Sequence, residues 1–213
     1  MGSCATIDDA ALLRAWQAGD QHAGSTLFSR HFSSIYRFFL SKVPEVAEDL
    51  AQRTFLGCLE AADRFRGDAS VRTFLFAIAH NTLRHHLRGR HRSEQPLDSG
   101  AVSIAELAPG PATALGRKQE QRLLLRALRH IPLDYQVVLE MHYWEQQSAT
   151  QIAEITGLPA GTIKTRIRRG RQLLQDKIAA LAETPEQCTS TLGGFEQWIR
   201  ALPEVGGAPR DQA

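Results

Sequence analysis

Between Lys164 and Arg171 the chain carries five cations, Lys164, Arg166, Arg168, Arg169 and Arg171, and no acid. A solvated helix face ordinarily mixes signs, and a one-sign run repels itself unless a polyanion meets it. Guanidinium and ammonium groups pair with phosphate oxygens and, where they reach base edges, with guanine acceptors. The chemistry on offer is recognition of nucleic acid rather than bond making. Gly161, Thr162 and Thr165 stand beside these cations. A threonine can contact a base edge or a thymine methyl.

The elements that must position this run are legible around it. Ser148 followed three residues later by Gln151 forms a capping box, so a helix starts there. Ile152, Ala153 and Ile155 supply its buried side, Gly157 a stop, and Leu158 an anchor for the turn. Pro159 suits the first turn of the next helix. There Ile163, Ile167, Leu174 and Ile178 share one side, leaving Lys164, Arg168 and Arg171 on another with Arg166 and Arg169 flanking. The segment from Ser148 to Leu174 therefore reads as a helix-turn-helix of the DNA-binding kind.

The chain has 213 residues, 43% of them apolar, enough for one domain or two small ones. Its formal net charge of +2 does not announce nucleic-acid binding, because the charge is segregated along the chain. Three scattered cysteines, Cys4, Cys58 and Cys188, lack the spacing of a disulfide framework or a zinc site, which suits a reducing cytoplasm. No apolar run approaches a membrane span, and the first residues lack a signal-peptide pattern. A cytoplasmic protein without membrane insertion is expected.

Residues 8–92 show helical periodicity throughout. Leu12, Leu13 and Trp16 mark a first helix, Gly19-Asp20 a restart, and Leu27, Phe28, Ile35, Phe38, Phe39 and Leu40 the broad apolar surface of a second. Pro44 breaks it before a third, about Glu45 to Phe65, with Leu50, Phe55, Leu56 and Leu59 at its core positions. After the loop Arg66 to Ala69, Ser70 is the N-cap of a fourth helix running through Phe74, Leu75, Ile78, Leu83 and Leu87. Residues 93–116 are punctuated by Pro and Gly and carry acids; they read as an acidic flexible linker. Helical signals resume over 117–182, with Leu123, Leu124, Leu125 and Leu128, then a helix opened by Pro132. The tail, 183–213, has a short amphipathic candidate at Phe195, Trp198, Ile199 and Leu202. The expected fold class is all-α, a four-helix bundle and a C-terminal helix-turn-helix domain joined by the linker.

With both modules in view, the chain resembles a bacterial RNA polymerase sigma factor of the small extracytoplasmic-function (ECF) type. The run AEDLAQRTFLGCLEAADRFRGDASVRTFLFAIAHNTLRHHLRGRHR looks like sigma region 2, and LRHIPLDYQVVLEMHYWEQQSATQIAEITGLPAGTIKTRIRRGRQLL like region 4. The resemblance implies partners: core RNA polymerase through its β′ clamp helices and β flap, promoter DNA, and an anti-sigma factor. It implies no cofactor and no catalysis by the chain itself.

By the same resemblance Asp49, Leu50, Gln52, Phe55 and Leu56 grip the clamp helices. The loop Phe65 to Ser70 captures a flipped non-template base, and the next helix reads and opens the minus-ten element. Phe65, Arg66, Asp68, Ser70, Arg72, Asn81, Arg84 and Arg88 are the residues this implicates. Opening a strand needs a pocket for an unstacked base and cations for its backbone. Phe65 and Phe74 fit stacking or plain core packing. Gly161, Thr162, Lys164, Thr165 and Arg168 fall at the start and exposed face of a minus-thirty-five recognition helix, with Arg166, Arg169 and Arg171 as phosphate anchors. The linker would thread the polymerase active-site cleft, its carboxylates mimicking RNA phosphates, or serve as a plain tether. Arg53 stands where such proteins usually carry an acid, His85 where they often have Asp, and Gln147 where an apolar residue is usual.

Two other classes compete. A stand-alone helix-turn-helix regulator would need a sensory or phosphoacceptor domain in front, where this chain has an Arg-rich helical module. A metal protein or enzyme could use His80, His85, His86 and His91, but no carboxylate or cysteine completes a ligand set, and Arg84, Arg88 and Arg90 would repel a cation.

Overall fold

The computed structural model describes residues 8–93 and 119–193, and every regular element among them is helical. The first module holds α1 (Asp9–Gln17), α2 (Gln21–Leu40), α3 (Ala47–Glu60) and α4 (Val71–Ser93). Gly19 makes the break between α1 and α2 with φ 101°, a conformation open to glycine. Asp20 then caps α2 by accepting from the amides of His22 and Ala23 at 2.9 and 3.1 Å. Gly24 lies flat against the indole of Trp16, so α1 and α2 approach more closely there than a side chain would permit. Leu27, Ile35, Phe39, Ala51, Cys58, Leu75 and Ala79 form a core without solvent exposure.

The third helix is shorter than its periodicity predicts. Pro44 opens a 3-10 turn, Pro44–Val46, ahead of α3, and a second, Ala62–Arg64, follows it, so Phe65 already belongs to the loop. Gly67 turns that loop at φ 82°. Ser70 then caps α4 as expected, its Oγ accepting from Thr73 N at 3.1 Å.

The second module holds α5 (Gln119–Arg129), α6 (Leu133–Tyr143), α7 (Ala149–Thr156), α8 (Ala160–Leu181) and α9 (Pro185–Gly193). Leu123, Leu124, Leu128, Leu139, Leu174 and Ile178 close its own core. Gly170 lets α8 cross α6 tightly, since a Cβ there would stand 3.2 Å from Tyr135 Cβ and 3.3 Å from Leu139 Cγ. Leu192 of α9 packs on this core, so the part of the tail just after Ala182 is built onto the second module. The linker 93–116 and the apolar cluster Phe195 to Leu202 fall largely or wholly outside the described residues.

The two modules are not separate beads. Val137, Val138 and Met141 of α6, Ile152 and Ile155 of α7 and Ile163 of α8 join the core of the first module, and α7 lies along α4. That double contact explains why α6 is buried on nearly all sides, including the polar residues Gln136 and Glu140.

Candidate nucleic-acid interface

The helix-turn-helix forms through the predicted local chemistry. Ser148 Oγ accepts from Gln151 N at 3.2 Å, and Gln151 Oε1 accepts from Ser148 N at 2.8 Å. Gly157 ends α7 in the left-handed region at φ 71°, and its amide donates to Ala153 O at 2.9 Å. Pro159 leads into α8, whose Ile163, Gly170, Leu174 and Ile178 face inward. Gly161, Thr162, Lys164, Thr165, Arg168, Arg169 and Arg171 are all exposed along its other side. Thr165 Oγ1 donates to Gly161 O at 3.0 Å. Arg166 departs from the expected phosphate-anchor position: it folds back to Asp134 at 3.0 Å and lines the seam between the modules.

A second polar surface runs along α4 and the loop before it. Arg64, Phe65, Arg66, Gly67, Asp68, Ala69, Thr73, Phe74, Ala77 and, from α7, Glu154 enclose a recess of about 230 Å³. Phe65 and Phe74 tilt against each other at 5.4 Å between ring centroids, both half-buried. Asn81, Arg84 and Arg88 are exposed at spacings of three and four, hence on one face of α4. Ser70 and Arg72 sit at its start, and Arg72 is paired with Glu145.

The residues expected to grip polymerase divide by burial. Leu50 and Phe55 are 2% and 3% exposed and belong to the core, so they shape α3 from beneath instead of presenting a contact face. Asp49, Gln52 and Leu56 face outward, and Leu56 is 60% exposed, an isolated apolar side chain held in water. Arg53 binds Asp49 at 3.0 Å one helical turn away. Beside them lies an aromatic ladder not singled out from the sequence as a surface: Phe28 stacks on Phe32 at 4.6 Å and Phe32 on Tyr36 at 5.7 Å, with Phe28 36% exposed. The i, i+4, i+8 spacing was its available signal.

Charges buried between the modules were not legible at all. Lys42, with no exposure, donates to Glu140, to Phe38 O at 2.8 Å and to Ser41 Oγ at 2.9 Å. Ser41 Oγ also reaches Glu140 Oε2 at 3.1 Å, while Glu140 Oε1 is buried without a hydrogen-bond partner. Glu145, also buried, pairs with Arg37 at 3.5 Å and with Arg72. Burial pushes the Lys42 ammonium below its ordinary range and the Glu140 carboxyl above its own, each partly opposed by the other's charge. Nearby, His80, Arg84, Asp134 and Arg166 border a cavity of about 160 Å³, and burial, aided by Arg84, brings His80 down to about 4. Among the described residues no three His, Cys, Asp or Glu side chains are grouped to hold a metal ion. The Arg84 and Arg166 charges beside His80 disfavour a cation there.

Comparison with known proteins agrees with this geometry. The Sigma-70 region 2 model matches residues 27–93 and the Sigma-70 region 4 model residues 121–174. Relatives include the ECF RNA polymerase sigma-E factors of Escherichia coli (strain K12) and Salmonella typhimurium (strain LT2), each 26% identical over 184 residues, 82% of this chain and 96% of theirs. The fold resembles CnrH, solved with the cytosolic domain of CnrY, at TM-score 0.58 and 23% identity, covering 82% of this chain and 99% of that one. It also resembles RpoE of Bartonella quintana, solved with the anti-sigma factor NepR, at TM-score 0.57 and 22% identity, covering 73% and 96%. The chain belongs to the sigma-70 family of RNA polymerase sigma factors, in its ECF group. It is thus a polymerase-associated initiation factor and not a stand-alone regulator.

Proposed function

We propose that the chain divides promoter recognition between its two modules, residues 8–92 acting on the minus-ten element and 117–182 on the minus-thirty-five element. The observation that carries this reading is the pairing, in one chain, of a cationic recognition helix with a cationic α4 headed by an aromatic recess. On α8, Lys164, Thr165 and Arg168 enter the major groove, while Arg169 and Arg171 hold phosphates. On α4, Asn81, Arg84 and Arg88 track the opened strand, and the Phe65 recess takes an unstacked base.

Asp49, Gln52 and Leu56 form the contact with the β′ clamp helices, and the second module meets the β flap. Residues 93–116 connect the modules inside the polymerase, and α9 extends the second module. Polymerase supplies the chemistry, so the chain acts without cofactor or catalytic residue of its own. Among the described residues no helix is long and apolar enough to cross a membrane, which fits a cytoplasmic site of action. The anti-sigma complex of the Bartonella relative supports an anti-sigma partner here.

The test is co-elution with core polymerase on gel filtration. The full chain should co-elute, and Leu56→Asp should not while keeping its helicity. Failure of the unaltered chain to bind core polymerase would defeat the reading.

A further inference from the structure

The cavity of about 160 Å³ at the seam of the modules carries the donors of an anion site and has no part in promoter recognition. His80 and Arg84 border it from α4, Arg166 from α8 and Asp134 from α6, while Val137, Val138 and Leu158 give it an apolar wall. Arg84 has no ion-pair partner among the described residues. Asp134 pairs with Nη2 of Arg166 at 3.0 Å and is 65% exposed, so it stands at the rim and leaves the other N–H groups of that guanidinium open to a second acceptor. His80 Nδ1 is buried without a hydrogen-bond partner, a costly state that an acceptor arriving from outside would relieve. The Thr156 hydroxyl, also on the lining, already donates to Ile152 O at 2.7 Å.

We propose that this cavity binds a small tetrahedral oxyanion, free inorganic phosphate or sulfate, between Arg84, Arg166 and His80. Its volume lies below the ~300 Å³ at which pockets for drug-sized ligands begin, so it suits a compact ion rather than a nucleotide. Two arginines against one carboxylate leave a positive balance. The His80 ring registers it: after burial, the charges of Arg84, Lys42 and Arg166 all disfavour its protonation, against Asp134 alone, and of these cations Lys42 is matched by Glu140. Arg84 and Arg166 supply charge-assisted hydrogen bonds to the oxyanion, and neutral His80 adds another in the tautomer that carries its proton on Nδ1. The apolar wall limits water around the ion and strengthens those contacts. Because the walls come from both modules, an occupied site ties α4 to α6 and α8 and stabilises the fold according to anion concentration.

The test titrates sodium sulfate, and separately sodium phosphate, into the isotope-labelled full chain, with sodium chloride holding ionic strength constant. The His80 ring is followed by NMR, its signals assigned by their loss in His80→Gln. Its resonances should move along a saturable curve, with Nδ1 protonated in the bound form. Arg84→Gln should weaken binding about tenfold or more, the loss of a charge-assisted contact. Arg88→Gln makes the same change in net charge one turn along α4 and should leave affinity within about twofold; both arginines are exposed, so neither change removes core packing. Asp134→Asn lifts the competing carboxylate and should tighten binding about threefold. A His80 signal that drifts without saturation, as it would under chloride alone, would overturn the proposal. Equal losses from Arg84→Gln and Arg88→Gln would overturn it too, because they would reflect net charge, as would weaker binding by Asp134→Asn with native helicity. These outcomes do not depend on whether the chain binds core polymerase.

Discussion

Replacing Lys42 by Met leaves the Glu140 carboxylate, itself 2% exposed, with only the Ser41 hydroxyl at 3.1 Å as a donor. Stranding a buried charge in this way costs about 3 to 5 kcal/mol, a large share of the ~5 to 15 kcal/mol that holds a typical domain. Glu140 can escape by taking up a proton. Its carboxyl is already raised by burial, and loss of the Lys42 charge raises it further. A carboxyl raised in the folded chain binds protons more tightly there than in the unfolded one, so the contribution is present at low pH and lost as pH rises. Between the already raised value of the unaltered fold and the still higher value of the variant, the variant should lose up to about 1.4 kcal/mol per pH unit relative to the unaltered chain. Replacing both partners, Lys42→Met/Glu140→Leu, removes the stranded charge and should come within about 1 kcal/mol of the starting stability. Urea unfolding followed by the fluorescence of Trp16 and Trp144, one in each module, at acid and mildly alkaline pH measures all three. A single variant as stable as the double one at alkaline pH, with no pH trend, would refute the reasoning.

Three other outcomes follow from particular contacts. Gly24→Ala should destabilise the first module by about 1 to 3 kcal/mol in denaturant unfolding, because the new Cβ would stand 2.4 Å from Trp16 Cδ1. His80, brought down to about 4 by burial and by the charges of Arg84, Lys42 and Arg166 against that of Asp134, stays neutral in the fold while the unfolded ring titrates near 6.5. Stability should therefore fall as pH drops from about 6.5 toward 4, and His80→Gln should remove that part of the decline; an NMR titration placing the ring near its ordinary value would count against this. Binding of a duplex minus-thirty-five fragment should follow a log-log salt slope of about −3 to −4 for the four exposed cations Lys164, Arg168, Arg169 and Arg171, roughly a hundredfold loss from 50 to 200 mM salt. A flat dependence would contradict phosphate binding by α8.

The capping box of α7, the Gly157 stop and the inward side of α8 were legible in sequence because each depends on residues within two turns of one another. The start of α4 at Ser70 was legible for the same reason. What local pattern could not do was divide a broad apolar stripe into core and surface. Leu50, Phe55 and Leu56 satisfy the same helical period, and only the packing of α2 against α3 decides that Leu56 is left in water. The inward turn of Arg166 depends on Asp134 of another helix. Lys42 and Glu140 lie 98 positions apart, and neither carries any local mark of burial. Their pairing becomes visible only once α6 is set between two cores.

The account turns on whether this chain makes polymerase start transcription. The direct measurement is multi-round transcription in vitro by core polymerase from the same source, with purified full chain and a library of upstream genomic fragments, sequencing the 5′ ends. Transcripts should begin at a limited set of positions sharing one spaced pair of upstream elements. Leu56→Asp should abolish all of them, and Lys164→Ala/Arg168→Ala should weaken chiefly those dependent on the upstream element. Start sites no different from those of core polymerase alone would contradict the central claim.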